Sequence, residues 1–317
     1  MRSFTEGVRL QASNLQAGLP GIRAALAATD LHPARAGTLI LTGIGASWHA
    51  LAPAVHALQA AGRRAYALHP SVLTGGGVSR LGDAFVLVSQ SGKSTEVLDV
   101  LERLDGKPTI AISARGDSPL ARAADAWLPL GPEADTAVST LGYTTTLLTL
   151  GLLADALLER AGDWDELPER VDATLSRLAP PVRERADEFA LIRTLDAAGA
   201  GPAAGTAGEA ALLAREALLL PAASYETRQY LHGPVESVAG GFGAILFGAE
   251  RELRLARELA GYGATVATVG PGGDLPVVPD PILQILPVQL LVAAVAERRG
   301  LNVDALAREQ DDTKVAA

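Results

Sequence analysis

Ala84-Phe85-Val86-Leu87-Val88 runs directly into Ser89-Gln90-Ser91-Gly92-Lys93-Ser94-Thr95, and the reading of this stretch sets the fold. Five apolar residues without polar alternation, closed by a polar turn, describe a strand covered on both faces, as in a parallel sheet. From Ser94 to Leu104 the apolar positions Val97, Leu98, Val100 and Leu101 mark a following helix. A buried strand that feeds a helix through a tight polar turn is the first part of a βαβ unit.

The same alternation continues on either side. Upstream, Thr38–Thr42 is a strand that enters Gly43-Ile44-Gly45-Ala46-Ser47, followed by a helix over 49–61 and a strand over 64–68. Downstream come strands at 109–112 and 126–130, then a long helix from Thr140 to about Arg160. A helix over 4–29 precedes the series, with Pro20 placed to interrupt it. Residues 161–190, rich in charge and carrying Pro168, Pro180 and Pro181, read as a helical connector. A second series then opens at Leu195. It has a Gly/Ala-rich turn (199–208), a helix over 209–220, strands at 243–247 and 264–269, a helix between them, and a last helix near 286–299. The expected fold is α/β, with two tandem three-layer units of flavodoxin-like form split at residues 1–165 and 166–317. The halves repeat one another in element order.

With 317 residues the chain has enough length for two domains of roughly 150 residues each. It is 48% hydrophobic but only 4% aromatic, a composition of small aliphatic residues that lets helices lie close on a sheet. A net charge of −9 argues against a nucleic-acid surface, while leaving room for a small phosphorylated ligand held by local donors. The absence of cysteine excludes disulfides, thiolate metal sites and a cysteine nucleophile. The five histidines make no HxH or HExxH pair, so no metal is expected. The N-terminal residues lack a secretory apolar core, and no apolar run looks long enough for a membrane span. A cytoplasmic protein is the expectation.

Ligands of open parallel sheets sit at the carboxyl ends of strands. Three such ends carry hydroxyls and glycine here: Gly45 with Ser47; the turn Ser89 to Thr95; and Val138-Ser139-Thr140. A single serine there is usually a helix cap, but four hydroxyls in seven residues favour an anion, and a phosphate dianion suits them. Gly92-Lys93-Ser94 is not a nucleotide loop, because Leu87 stands where the first glycine is required. Gly43-Ile44-Gly45 does not complete a dinucleotide fingerprint, because Trp48 takes the third glycine position. No cofactor is expected.

Gly45-Ala46-Ser47, Ser89-Gln90-Ser91-Gly92-Lys93-Ser94 and Val138-Ser139-Thr140 resemble the sugar isomerase (SIS) domain family. Glu209, Glu216 and His232-Gly233-Pro234 extend the likeness to the isomerase half of the glutamine–fructose-6-phosphate aminotransferases (glucosamine-6-phosphate synthases), which is two SIS units in tandem. The resemblance implies that Ser47, Ser89, Gln90, Ser91 and Ser94 contact a sugar phosphate, with Ser139 nearby. It implies Glu216 as the base that moves a proton between sugar C1 and C2. It also implies that His232 assists ring opening in the partner subunit of a homodimer. The chemistry agrees: a C–H beside a carbonyl or imine needs a placed carboxylate, and ring opening needs a group that titrates near neutrality. Read one at a time, Glu216 could instead be a surface acid paired with Arg215 or Arg228, and His232 could merely shape a turn. His49 and His56 read as structural or exposed, and Trp48 as either core or a cover for a sugar face.

Several positions depart from that family. Lys93 stands where glutamate is usual, and Leu213 and Leu141 replace lysines. An ungapped reading of the C-terminus puts Asp311 where a lysine enters the site, which makes Lys314 a catalytic candidate only if the tail carries an insertion. The strand ending at Phe247 leads into Gly248-Ala249-Glu250 without serines, so one phosphate site is expected, in the first half. The chain shows neither a cysteine nor an amidotransferase domain, and is not expected to draw ammonia from glutamine. The expected function is a hexosamine 6-phosphate deaminase or isomerase that works through an open-chain enolamine or enediol. The alternatives are a deglycase of glycated sugar phosphates and, given the missing lysines, a sugar-phosphate sensor without turnover.

Overall fold

The computed structural model describes residues 2–75, 77–308, 310 and 312–315. In chain order its elements are α1 (Phe4–Arg9), α2 (Gln11–Ala28), α3 (His32–Ala36), β1 (Leu39–Gly43), α4 (Ala46–His49), α5 (Leu51–Ala60), β2 (Ala65–Ala67), α6 (Pro70–Leu73), β3 (Ala84–Val88), α7 (Thr95–Leu101), β4 (Thr109–Ser113), α8 (Pro119–Ala123), β5 (Ala126–Pro129) and α9 (Leu141–Leu158). They continue with α10 (Leu167–Phe189), β6 (Thr194–Gly199), α11 (Ala203–Leu218), β7 (Ala222–Glu226), α12 (Thr227–Tyr230), β8 (Phe242–Phe247), α13 (Glu250–Gly261), β9 (Thr265–Val269) and α14 (Pro281–Arg299).

The chain divides into two compact units that exchange segments across the boundary expected at 165/166. One comprises residues 13–134, 141–166 and the tail from Arg308; the other comprises the segment up to Ala12, residues 135–140 and 167–307. The first unit holds a sheet of order β2-β1-β3-β4-β5, the second one of order β7-β6-β8-β9, and every pairing is parallel. The four shared strands follow one order in both, so the repeat in the sequence is a repeat in topology.

Burial explains the unalternating strands. All five residues of β1, β3 and β4 are buried, and Phe85 and Leu87 pack with Val97 and Val100 of α7 in one core cluster. In each sheet the winding reverses beside the first strand of the series, between β1 and β3 and between β6 and β8. The crevice outside the carboxyl ends of those two strands is where such sheets take ligands.

The structure corrects five readings of the sequence. The helix expected over 4–29 breaks at Leu10 and not at Pro20; Pro20 and Gln16 are both exposed, so the carbonyl that loses its donor faces water. The presumed connector is α10, which runs through Pro180 and Pro181 and buries Val171, Leu178, Val182 and Phe189. The Gly/Ala-rich turn at 199–208 is largely the first part of α11, where buried Gly205 and Gly208 fit a helix enclosed by other elements. Residues 222–226, to which the sequence reading assigns no element, form the edge strand β7, with Ser224 and Tyr225 in it. Finally, α9 and α14 (18 and 19 residues, mean hydropathy 1.4 and 1.3) are long and apolar enough to cross a membrane, but 78% and 67% of them is buried. They are core helices. In α9 the hydroxyls of Thr145 and Thr146 donate to the carbonyls of Leu141 and Gly142, which satisfies them inside the unit.

Candidate functional site

In the first unit the serine turn sits at the end of β3 as the sequence predicts. Ser89 is 2% exposed, and its Oγ lies 2.9 Å from Ser94 Oγ across the turn. Gly92 takes φ +65°, a conformation that favours glycine, and its N–H donates to the Ser89 carbonyl at 2.9 Å. Gln90 and Ser91 are half-buried, with Ser91 Oγ 3.3 Å from the Lys93 N–H. The turn is tied to the next strand and helix: Ala114 N donates to Gln90 O, and Leu120 N to Gly92 O. Lys93, which stands where the resembled family usually has glutamate, is half-buried.

Ser47 approaches the same region from β1. It is buried, and a Cβ built on Gly43 would lie 3.1 Å from both Ser47 Cβ and Val88 O, so the first loop closes down on the end of β3. Beside it Trp48 stacks on His69 with ring centroids 3.6 Å apart. Burial, with a smaller contribution from His69, pushes the His49 imidazole down to about 4, so it is uncharged at neutral pH.

The C-terminal tail lies along the turn. Thr95 donates from N to Thr313 O and from Oγ1 to Asp312 O, and Val315 N donates to Lys93 O. Lys314 is bridged antiparallel to Ser94, and its side chain is exposed. Asp311 falls outside the described residues.

The second unit holds a set of acids on and around α11. Glu216 is half-buried, and burial together with the charge of Asp135 pushes its carboxyl up to about 7. Among the described residues no ion pair engages it; Arg215 turns away to donate to the Ala222 carbonyl. Glu209 is fully buried and held well above the usual carboxylate range by burial, then by Glu216 and Asp135. Asp135 accepts from Ser139 Oγ at 2.8 Å and from Thr140 N at 3.0 Å, so the Ser139 hydroxyl is committed to an acid of its own loop. The seven-residue spacing of the two glutamates, two helical turns, brings them to one side of α11.

His232 is exposed on the turn between α12 and the 3-10 helix Pro234–Ser237, and no hydrogen bond links it to Glu216. Asp135 escaped the sequence reading, since its bonds to Ser139 and Thr140 span four and five residues, beyond the two-residue reach of an Asx turn. Asp196 on β6 also escaped it. Burial, opposed by the nearby Tyr230 hydroxyl, pushes Asp196 up to about 6.

At the end of β8 the second unit presents no serine turn. Glu252 instead turns its carboxylate back to accept from Thr227 Oγ1 at 2.8 Å and from Ala249 N at 3.2 Å. A carboxylate of the chain itself stands there, against Gly248.

A SIS-domain family model matches residues 34–158. The isomerizing glutamine–fructose-6-phosphate aminotransferase of Bradyrhizobium diazoefficiens is 26% identical over 261 residues, which is 71% of this chain and 43% of that protein. The chain therefore spans less than half the length of that relative. A crystal structure of glucosamine-6-phosphate deaminase from Thermotoga maritima superposes with a TM-score of 0.84 over 99% of both chains, at 25% identity. Tagatose-6-phosphate ketose/aldose isomerase from Escherichia coli shares the fold at 18% identity, with a TM-score of 0.81 over 96% of this chain and 95% of that one. The protein thus carries a SIS domain at residues 34–158, in an α/β fold of two parallel sheets that matches tandem SIS structures.

Proposed function

We propose that the protein is a hexosamine 6-phosphate deaminase of the sugar isomerase type, with Glu216 as its proton-transferring base. The observation that carries this reading is the placement of the Glu216 carboxyl, half-buried on α11 where burial and the charge of Asp135 push it up to about 7, the range in which one carboxyl both takes and returns a proton at neutral pH. On the open-chain aldose, Glu216 removes the C2 proton and the resulting enolamine is protonated at C1. The C1 aldehyde becomes an alcohol and the C2 amine an imine. Water then adds to the imine carbon and ammonia leaves, giving the 2-ketose phosphate. No redox equivalent enters.

The phosphate is assigned to Ser47, Ser89, Gln90, Ser91 and Ser94, whose hydroxyls and amides form a ready donor set at the end of β3. Ser139 is left out of direct contact, since Asp135 takes its hydroxyl. His232 is assigned to ring opening in the partner subunit of a cytoplasmic homodimer, a role its exposure permits. The similarity to an aminotransferase and to a glucosamine-6-phosphate deaminase supports the amino sugar over a plain ketose. Buried Leu213 and Leu141 favour a second reading, a sensor that binds without turnover.

Incubation of the protein with hexosamine 6-phosphates and glycated sugar phosphates tests both readings, with ammonia, amino acid and ketose phosphate followed. Ammonia released with ketose 6-phosphate is the expected result. Amino acid release would make the protein a deglycase, and a thermal shift without product would make it a sensor.

A further inference from the structure

One face of α11 carries a group that the proposed reaction leaves unused. Thr206, Glu209 and Glu216 fall within about 80° of arc on that helix. Thr206 and Glu209 are fully buried, and among the described residues neither the Thr206 hydroxyl nor either Glu209 oxygen has a hydrogen-bond partner. The remaining neighbours one turn away on the helix, Gly205, Leu212 and Leu213, carry no polar side chain. The charges that act on Glu209 come from Glu216 on its own helix and from Asp135 on the 135–140 loop, both of its own sign. A carboxylate without a donor in such a place carries a large desolvation penalty, which the neutral acid avoids.

We propose that Glu209 is a positioning residue that works through Glu216, remaining a neutral carboxylic acid throughout turnover so that Glu216 alone on this face gains and loses a proton. The inference rests on the reading of Glu216 as the base. Were Glu209 anionic, its charge would hold the proton on Glu216 and blunt it as a base at neutral pH. As a neutral acid it leaves that proton free to move.

Two measurements on Glu209→Gln, the uncharged isostere, test this. The first is thermal unfolding of wild type and variant between pH 5 and 8.5. A buried acid that stays protonated contributes stability below the unfolded value near 4.5, and that contribution is lost as pH rises. The variant is therefore expected to match wild type near pH 5 and to gain several degrees over it at pH 8. A pH-independent difference, or a variant that loses ground as pH rises, would overturn the proposal. The second is the pH profile of kcat/KM. Its acid limb is expected to stay in place in the variant, whereas loss of an anion beside Glu216 would move it to lower pH by roughly one unit.

If the variant fails to fold, infrared spectra of wild type carrying 13C-labelled glutamate decide the matter. A protonated-carboxyl band that persists at pH 8 supports the proposal, and its absence contradicts it. Lack of turnover in the wild type would sink the proposed function, yet the unfolding and infrared results would still fix the protonation of Glu209.

Discussion

A Cβ built on Gly92 would lie 2.2 Å from Ser118 Oγ and 2.4 Å from Ser118 Cβ. Ser118 is itself fixed, since its hydroxyl caps α8 at Ala121 N and lies 3.2 Å from Ser113 Oγ. The serine turn at the end of β3 is thus pressed against the cap of a neighbouring helix, and only glycine permits both the contact and the φ of +65°. Gly92→Ala is expected to cost about 2 kcal/mol or more in stability and to raise the KM for sugar phosphate. Urea denaturation with steady-state kinetics checks this, and a variant as stable as wild type would remove the steric argument.

Ser89 is the turn's most buried hydroxyl, with Ser94 Oγ as its neighbour. Ser89→Ala removes a proposed phosphate donor and leaves the Ser94 hydroxyl without that partner. The expected result is a KM raised roughly tenfold, as for the loss of a charge-assisted hydrogen bond, with kcat changed much less. An effect confined to kcat would move Ser89 from binding to chemistry.

The tail engages the turn through its backbone at Asp312, Thr313 and Val315. Truncation before Asp312 is expected to speed amide exchange at Thr95 and to weaken phosphate binding. Lys314→Ala keeps those backbone bonds and is expected to retain turnover within about twofold, since the Lys314 side chain is exposed. Paired kinetics on the two variants measure this. A collapse of kcat in Lys314→Ala would assign the side chain a part in catalysis.

The pH dependence follows from Glu216. Its folded value near 7 lies above the ordinary 4.5, so the charged, basic form predominates only above about 7. The rate constant kcat/KM is expected to rise tenfold per pH unit up to about 7 and then level off. The same shift has a consequence for stability. The protonated form favours the fold below 4.5, and that advantage is lost as pH rises through 7, so Glu216→Gln is expected to stabilise the protein more at pH 8 than at pH 5. A flat rate profile between pH 5.5 and 8 would be inconsistent with this base.

The sheets were legible because their strands carry no polar alternation. Ala84–Val88 and Phe242–Phe247 are buried along their whole length, and burial on both faces forces such a sequence. The turn at Ser89–Ser94 was legible as a turn for a related reason, since hydroxyls and a glycine directly after a buried strand end it. The start of α11 was not, because Gly199 to Gly208 resembles a turn by composition, and only tertiary packing makes a helix of its second half. Strand β7 was obscured by its place at the sheet edge, where buried and exposed residues mix. Glu209 and Glu216 were recognisable as residues of interest, but the charge of Asp135 that acts on both comes from a loop more than seventy residues earlier. No local pattern encodes that approach.

Hydrogen exchange in D2O reads out the proposed role of Glu216, moving a proton at the carbon beside the sugar carbonyl. Wild-type protein and Glu216→Gln are incubated with glucosamine 6-phosphate and, separately, with fructose 6-phosphate, and the C1 and C2 proton signals are followed by NMR. Deuterium incorporation is expected with wild type and none above background with the variant, provided both show the same thermal shift with ligand. Equal incorporation by the two proteins would place the base elsewhere and contradict the mechanism.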